Sequence, residues 1–96
     1  MFVNIMQFPP IPADRDEDFR RWFSMSNEQY AKHPGFIRRR LLKSRKQGTY
    51  TAIIEHESYE TFMTMHKSRD QANASNHLKT VLAEGPTAQF YELVEG

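Results

Sequence analysis

One stretch constrains this chain more than any other: Tyr50 to Ser68, YTAIIEHESYETFMTMHKS, a strand that runs straight into a helix. Successive side chains of a strand alternate between faces, so Tyr50, Ala52, Ile54 and His56 share one face and Thr51, Ile53 and Glu55 the other. Ser58 is placed to cap the helix, because its hydroxyl can accept from an orphan N–H at Glu60 or Thr61. Phe62, Met65 and His66 then recur at helical spacing and share a face. A strand that feeds directly into a helix turns that helix back onto the sheet. A cavity, if the protein has one, is expected between them.

The flanking segments extend this pattern. Phe2, Asn4, Met6 and Phe8 alternate with Val3, Ile5 and Gln7 as a first strand, which Pro9, Pro10 and Pro12 stop because proline cannot donate to a ladder. Asp14, Asp16, Glu17 and Asp18 crowd a helix start, where carboxylates meet the positive end of the macrodipole. Phe19, Trp22, Phe23, Ser26 and Tyr30 form one stripe of a long amphipathic helix, ended by His33-Pro34-Gly35. Phe36 to Lys43 reads as a second strand, with Arg38 and Arg40 on one face and Arg39 on the other. Lys46-Gln47-Gly48 supplies the hairpin turn into the third strand. Arg69 to Asn76 is nearly all polar or alanine. His77, Leu78, Val81 and Leu82 then give a second amphipathic segment, closed by Gly85-Pro86, and Ala88 to Val94 alternates as a last strand.

The order is β-α-β-β-α-(α)-β. It predicts an α+β, ferredoxin-like antiparallel sheet with helices on one face. Ninety-six residues are too few for two cores, so residues 1–96 form a single domain. The other sheet face needs a cover, and a homodimer is expected to supply it.

Composition removes several function classes. Thirteen basic residues against twelve acidic ones argue against nucleic acid or an anionic membrane as partner. With no cysteine there is no disulfide framework, thiolate metal site or cysteine nucleophile. No apolar run approaches the roughly 20 residues that span a bilayer, and no signal peptide is evident, so a soluble cytoplasmic protein is expected. No HxxxH pair, HExxH motif or phosphate-cradling glycine loop occurs, and no metal site is expected. Ser24, Ser26 and Ser68 have no histidine–acid pattern nearby, which argues against a hydrolase triad.

Other residues carry open alternatives. His56, His66 and His77 are each structural, superficial or functional. On an unbroken helix His66 and His77 would stand about 16 Å apart, too far to share a metal. His66, beside Met65 over the expected cavity, is the best placed to act as a base. Arg38, Arg39 and Arg40 either bind an anion or pair with Glu55 or Glu57. Trp22, Phe23, Phe62 and Met65 form core, and the same residues can wall an aromatic pocket.

His33-Pro34-Gly35-Phe36, the run Glu55-His56-Glu57-Ser58-Tyr59-Glu60-Thr61-Phe62, Ser68, and Gly85-Pro86 before Phe90-Tyr91-Glu92 together resemble the antibiotic biosynthesis monooxygenase (ABM) family over essentially the whole chain. The resemblance implies a dimeric α+β barrel with a pocket between sheet and helices in each subunit. Its implied activity is a cofactor-independent monooxygenase acting on a small phenol- or quinol-like aromatic. Asn4 and His66 are then the catalytic candidates, and Gln7 and Tyr59 join Trp22, Phe23, Phe62 and Met65 around the substrate. Two alternatives accompany it: a haem-binding or haem-degrading relative, with His77 as ligand, and a non-catalytic barrel that holds a small ligand. The haem-degrading branch has a tryptophan where this chain has Met65, and its ligand where this chain has Ala74 or Ser75, which argues against efficient haem breakdown.

Overall fold

Alternation places Phe2 and Asn4 of strand β1 (Phe2–Gln7) on one buried face, and the same face continues across β3 (Tyr50–His56) through Tyr50, Ala52, Ile54 and His56. The computed structural model describes every residue from Met1 to Gly96. Its four strands form one antiparallel sheet in the order β2-β3-β1-β4, with β2 spanning Phe36–Lys43 and β4 spanning Thr87–Glu92. The last strand is displaced from its expected limits. It starts at Thr87 and ends before Leu93, although the Leu93 amide still donates to the Met1 carbonyl at 2.8 Å.

Helix α1 (Asp16–Tyr30) follows a short 3-10 turn at Ala13–Arg15 and buries the expected stripe: Phe19, Trp22, Phe23, Ser26 and Tyr30. The chain leaves it through Gly35, whose φ of 86° lies in the left-handed region. A Cβ at Gly35 would also collide with the Thr61 side chain, so two separate reasons require glycine there. Helix α2 (Tyr59–His66) opens on a capping box in which Ser58 Oγ accepts from the Thr61 amide at 3.1 Å.

The segment after Ser68 differs from its sequence reading. Arg69–Leu78 is helix α3, capped by Ser68, whereas Val81 and Leu82 lie in the turn beyond it. Its polar composition hides the helix because Ala74 and Leu78 are the only side chains it buries. Two bonds fasten it to the N-terminal half: Trp22 Nε1 donates to the Ala74 carbonyl at 2.8 Å, and His33 Nε2 meets Asp70 at 2.9 Å. The break at Lys67-Ser68 means that His66 and His77 do not share a helix.

All three helices cover one sheet face, and the core between falls into two clusters. One holds Phe8, Phe19, Trp22, Phe23, Tyr50, Ala52, Leu78, Val81 and Leu82. The other holds Phe2, Tyr30, Ile54, Phe62, Met65 and Ala74. Each fully buried large side chain contributes about 1.5–3 kcal/mol of transfer free energy. The second sheet face has no helix over it. It presents Val3, Ile5 and Ile53, each half-buried, beside Glu55, which Arg38 Nε and Arg40 Nη2 clamp at 2.9 and 3.2 Å.

Candidate functional site

A cavity of about 90 Å³ lies between the two core clusters. Trp22 and Tyr30 line it from α1, Phe62, Met65 and His66 from α2, and Gln71, Ser75 and Leu78 from α3. Asn4, Met6, Ala52, Ile54 and Arg39 form its floor on the sheet, and Pro86 closes one side. The floor follows from register. Asn4 pairs with Ile54, and Ile54 pairs with Arg39, so the three side chains stand in a row on the helix-facing side.

Two polar groups on that floor are buried without full satisfaction. Asn4 is 3% exposed, and its Oδ1 has no hydrogen-bond partner. Its amide can present either an acceptor or a donor to a ligand. Arg39 is 8% exposed and forms no ion pair with any carboxylate. Its Nη1 donates to Ser26 Oγ at 2.9 Å and to the Phe23 carbonyl at 3.3 Å. The guanidinium carbon stands 4.0 Å from the Phe23 ring centroid, 4.8 Å from Tyr30 and 5.4 Å from Trp22, an arrangement that suits cation–π attraction. Burial pulls the Arg39 pKa down to about 10, which leaves it charged at neutral pH. Burial also raises the Tyr30 hydroxyl above its usual value, more than Arg39 lowers it, so Tyr30 stays neutral and cannot serve as a counterion.

The expected site residues divide. Asn4, Trp22, Phe62, Met65 and His66 all line the cavity. His66 does so from its rim: the residue is exposed and its ring stacks on Phe62 at 5.5 Å and 16°, so it does not sit within an apolar wall. Phe23 does not reach the cavity. It lies one helix position from Trp22, about 100° around the axis, and packs on Arg39 instead. Gln7 is exposed and points to the opposite sheet face from Asn4, as an odd offset along a strand requires. Tyr59 is 45% exposed and packs its ring on Phe2 at 5.6 Å and near Phe90 at 6.4 Å, outside the cavity.

His77 is exposed and borders a separate groove with Trp22, Met25 and Asp70. As the alternative haem ligand His77 would need a local shift, and the structure does not bring it to the cavity. Ser75 lines the wall at that point instead, so α3 offers the cavity no imidazole to hold a haem iron. No group of three His, Cys, Asp or Glu side chains converges anywhere in the fold.

His56 has a structural place. It is fully buried, its Nδ1 lies 3.0 Å from Thr61 Oγ1, and its ring packs edge-on to Phe36 and Phe62. Burial, followed by the nearby His33, lowers its pKa. Sequence reasoning left Tyr30, Gln71 and Ser75 out of the cavity and Arg39 without an assigned role. For Arg39 the signal was present, because alternation turned it away from Arg38 and Arg40.

No family model matches this chain, and no protein of curated function does. Solved structures do. An antibiotic biosynthesis monooxygenase structure superposes with a TM-score of 0.80 at 14% identity over 99% of this chain and all of that one. Rv0793 from Mycobacterium tuberculosis gives 0.84 at 13% identity, covering 99% of this chain and 96% of its own. A variant of SnoaB, a cofactor-independent oxygenase from Streptomyces nogalater, gives 0.75 at 20% identity, covering 99% and 92%. Likeness at these identities is likeness of fold, so the chain has the α+β, ferredoxin-like fold of antibiotic biosynthesis monooxygenase structures over its whole length.

Proposed function

We propose that this protein is a cofactor-independent oxygenase acting on a small phenol- or quinol-like aromatic. The observation that carries the reading is the cavity: aromatic and thioether walls from Trp22, Phe62 and Met65 around a buried Asn4 whose Oδ1 has no partner. Pockets of this make-up, mostly apolar with a few convergent polar groups, suit small ligands. The volume of about 90 Å³ suits one ring better than several. The fold shared with a structure described as a cofactor-independent oxygenase supports the same reading.

The chemistry balances without an added reductant. A phenol gives up its proton, the ring carbon bonds to O₂, and loss of water leaves a carbonyl at that carbon. One oxygen atom enters the ring and the other leaves as water, with the ring supplying all four electrons. Asn4 donates through its side-chain amide nitrogen, turned toward the ligand, to the substrate oxygen as charge develops there. His66, at the cavity mouth, accepts the phenol proton and passes it to solvent. The open sheet face supports pairing with a second copy of the chain, which light scattering at micromolar concentration would test against a mass of 11.3 kDa for one copy.

The test is oxygen uptake with a single-ring dihydroxybenzene, with the product examined after reaction under ¹⁸O₂. The expected result is a product heavier by one labelled atom, formed at least about tenfold more slowly by Asn4→Ala, since loss of one such donor costs that much or more. Uptake no faster than without protein, while the ligand still binds, would replace this reading with a non-catalytic binding barrel.

A further inference from the structure

We infer that Arg39 is the anion-binding group of the cavity and that the ligand is a single-ring aromatic bearing an oxyanion conjugated to or attached on the ring. This rests on the cavity being the ligand site, as proposed above, and adds the charge its occupant must carry.

Charge accounting leads there. A buried guanidinium is costly unless something opposite in charge meets it. No protein group does so here. Glu55, the nearest acid along the sheet, lies on the other face and is taken by Arg38 and Arg40. Asp70 on α3 is held by His33. Among the other groups around the cavity, Tyr30 stays neutral, and His66 is exposed at the rim and carries no negative charge in either protonation state. β1 and β3 contribute only Asn4, Met6, Ala52 and Ile54. Arg39 also spends only one of its nitrogens on the protein. Both of its bonds leave from Nη1, so Nε and Nη2 donate to no protein atom. A planar fork with donors to spare matches a carboxylate or a phenolate oxygen. Three rings, Phe23, Tyr30 and Trp22, pack around the guanidinium at 4.0, 4.8 and 5.4 Å and hold the fork in place. Asn4, two strands away in the same row, can bond a second polar atom of the same ligand.

The probes are benzoate against benzamide, which share shape and differ in charge, and 4-nitrophenol, whose anion is coloured. Binding is read by calorimetry on the intact chain. Benzoate is expected to bind at least about tenfold more tightly than benzamide, as charge-assisted hydrogen bonds imply. Bound 4-nitrophenol is expected to show its anion colour at lower pH than the free compound. Preference for benzoate alone would assign a carboxylate ligand, and the colour shift alone a phenolate. Arg39→Met is expected to abolish both preferences, so that benzoate binds no more tightly than benzamide. Its melting temperature is expected to hold or rise, because replacing an unpaired buried charge by an apolar side chain removes a desolvation penalty. Arg39→Lys keeps the charge without the fork and is expected to fall between. Equal binding of benzoate and benzamide by the unaltered chain, with no colour shift, overturns the inference and leaves the cavity reading intact. A sharp fall in melting temperature for both variants with benzoate preference unchanged in Arg39→Lys also overturns it, as a structural role. Binding of none of the three probes sinks the cavity reading and this inference with it.

Discussion

The two core clusters are built from similar residues and differ in what they leave unpaired. The larger one is packed ring on ring: Phe19 meets Phe8 at 4.9 Å, Tyr50 at 5.0 Å and Trp22 at 5.7 Å. The smaller one stands beside Asn4 Oδ1 and His56 Nε2, both buried without partners, while the uncompensated Arg39 lies at the seam, against Trp22 and Phe23 of one cluster and Tyr30 of the other. Unpaired polar groups in a small core lower stability by roughly 1–3 kcal/mol each. On the proposed reading, the ring-packed half holds the fold together and the half that borders Asn4 on the cavity floor is the one kept ready for a ligand.

The sharpest way to break this comparison is to empty the packed half. Phe19→Ala removes a ring of zero exposure and is expected to lower the unfolding free energy by about 3–5 kcal/mol, read from urea denaturation. A loss under 1 kcal/mol would show that the larger cluster is not the stabilising one. Gly35→Ala tests the turn that brings α1 back toward β2. The left-handed backbone alone is expected to cost about 1–3 kcal/mol, and the collision with Thr61 adds to it. Ser58→Ala removes the cap that starts α2 and is expected to cost about 1 kcal/mol while leaving the packed cluster's near-ultraviolet signal unchanged.

The ligand-facing half is expected to respond to pH and to tolerate change. His56 has a lowered pKa when folded, so the unfolded chain binds more protons once pH falls below its ordinary value of about 6.5. Stability from this group is therefore complete above that pH and declines as pH falls toward the folded value. His56→Gln is expected to flatten that decline in denaturation midpoints taken between about pH 7.5 and 5. An unchanged slope would mean that another group governs it. Asn4→Leu should be the mildest for stability, within about 1 kcal/mol of the parent, because it removes an unsatisfied acceptor. The same substitution is expected to abolish oxygen uptake, which separates the two roles of the core in one variant.

The sequence showed the packed half more clearly than the cavity, for a physical reason. Burial imposes a period, and the period was visible in Phe19, Trp22, Phe23, Ser26 and Tyr30, and again in Tyr50, Ala52, Ile54 and His56. Ser58 announced its own helix start. Helix α3 was obscured because it buries a small residue and one leucine among polar neighbours, so its stripe is narrow. Cavity membership depends on which of several buried neighbours leaves space, and periodicity does not carry that. Parity turns Asn4, and spacing turns Met65, toward the space between sheet and helices, and both line the cavity. Gln7 and Tyr59 were named for their chemistry, and geometry sends one to the open sheet face and the other toward Phe90. Arg39 is the instructive case: alternation separates it from Arg38 and Arg40, and the same parity puts it on the face opposite Glu55, the acid that those two take.

Trp22 is the only tryptophan in the chain and lines the cavity, so its fluorescence reports directly on whether a ligand enters there. Titration with a single-ring dihydroxybenzene, in the parent and in Ser75→Phe, which fills the cavity from α3, tests the reading most directly. Saturable quenching in the parent and its loss in a folded Ser75→Phe is the expected result. Saturable quenching of equal strength in both proteins, or none in either, would contradict a ligand site between the two clusters.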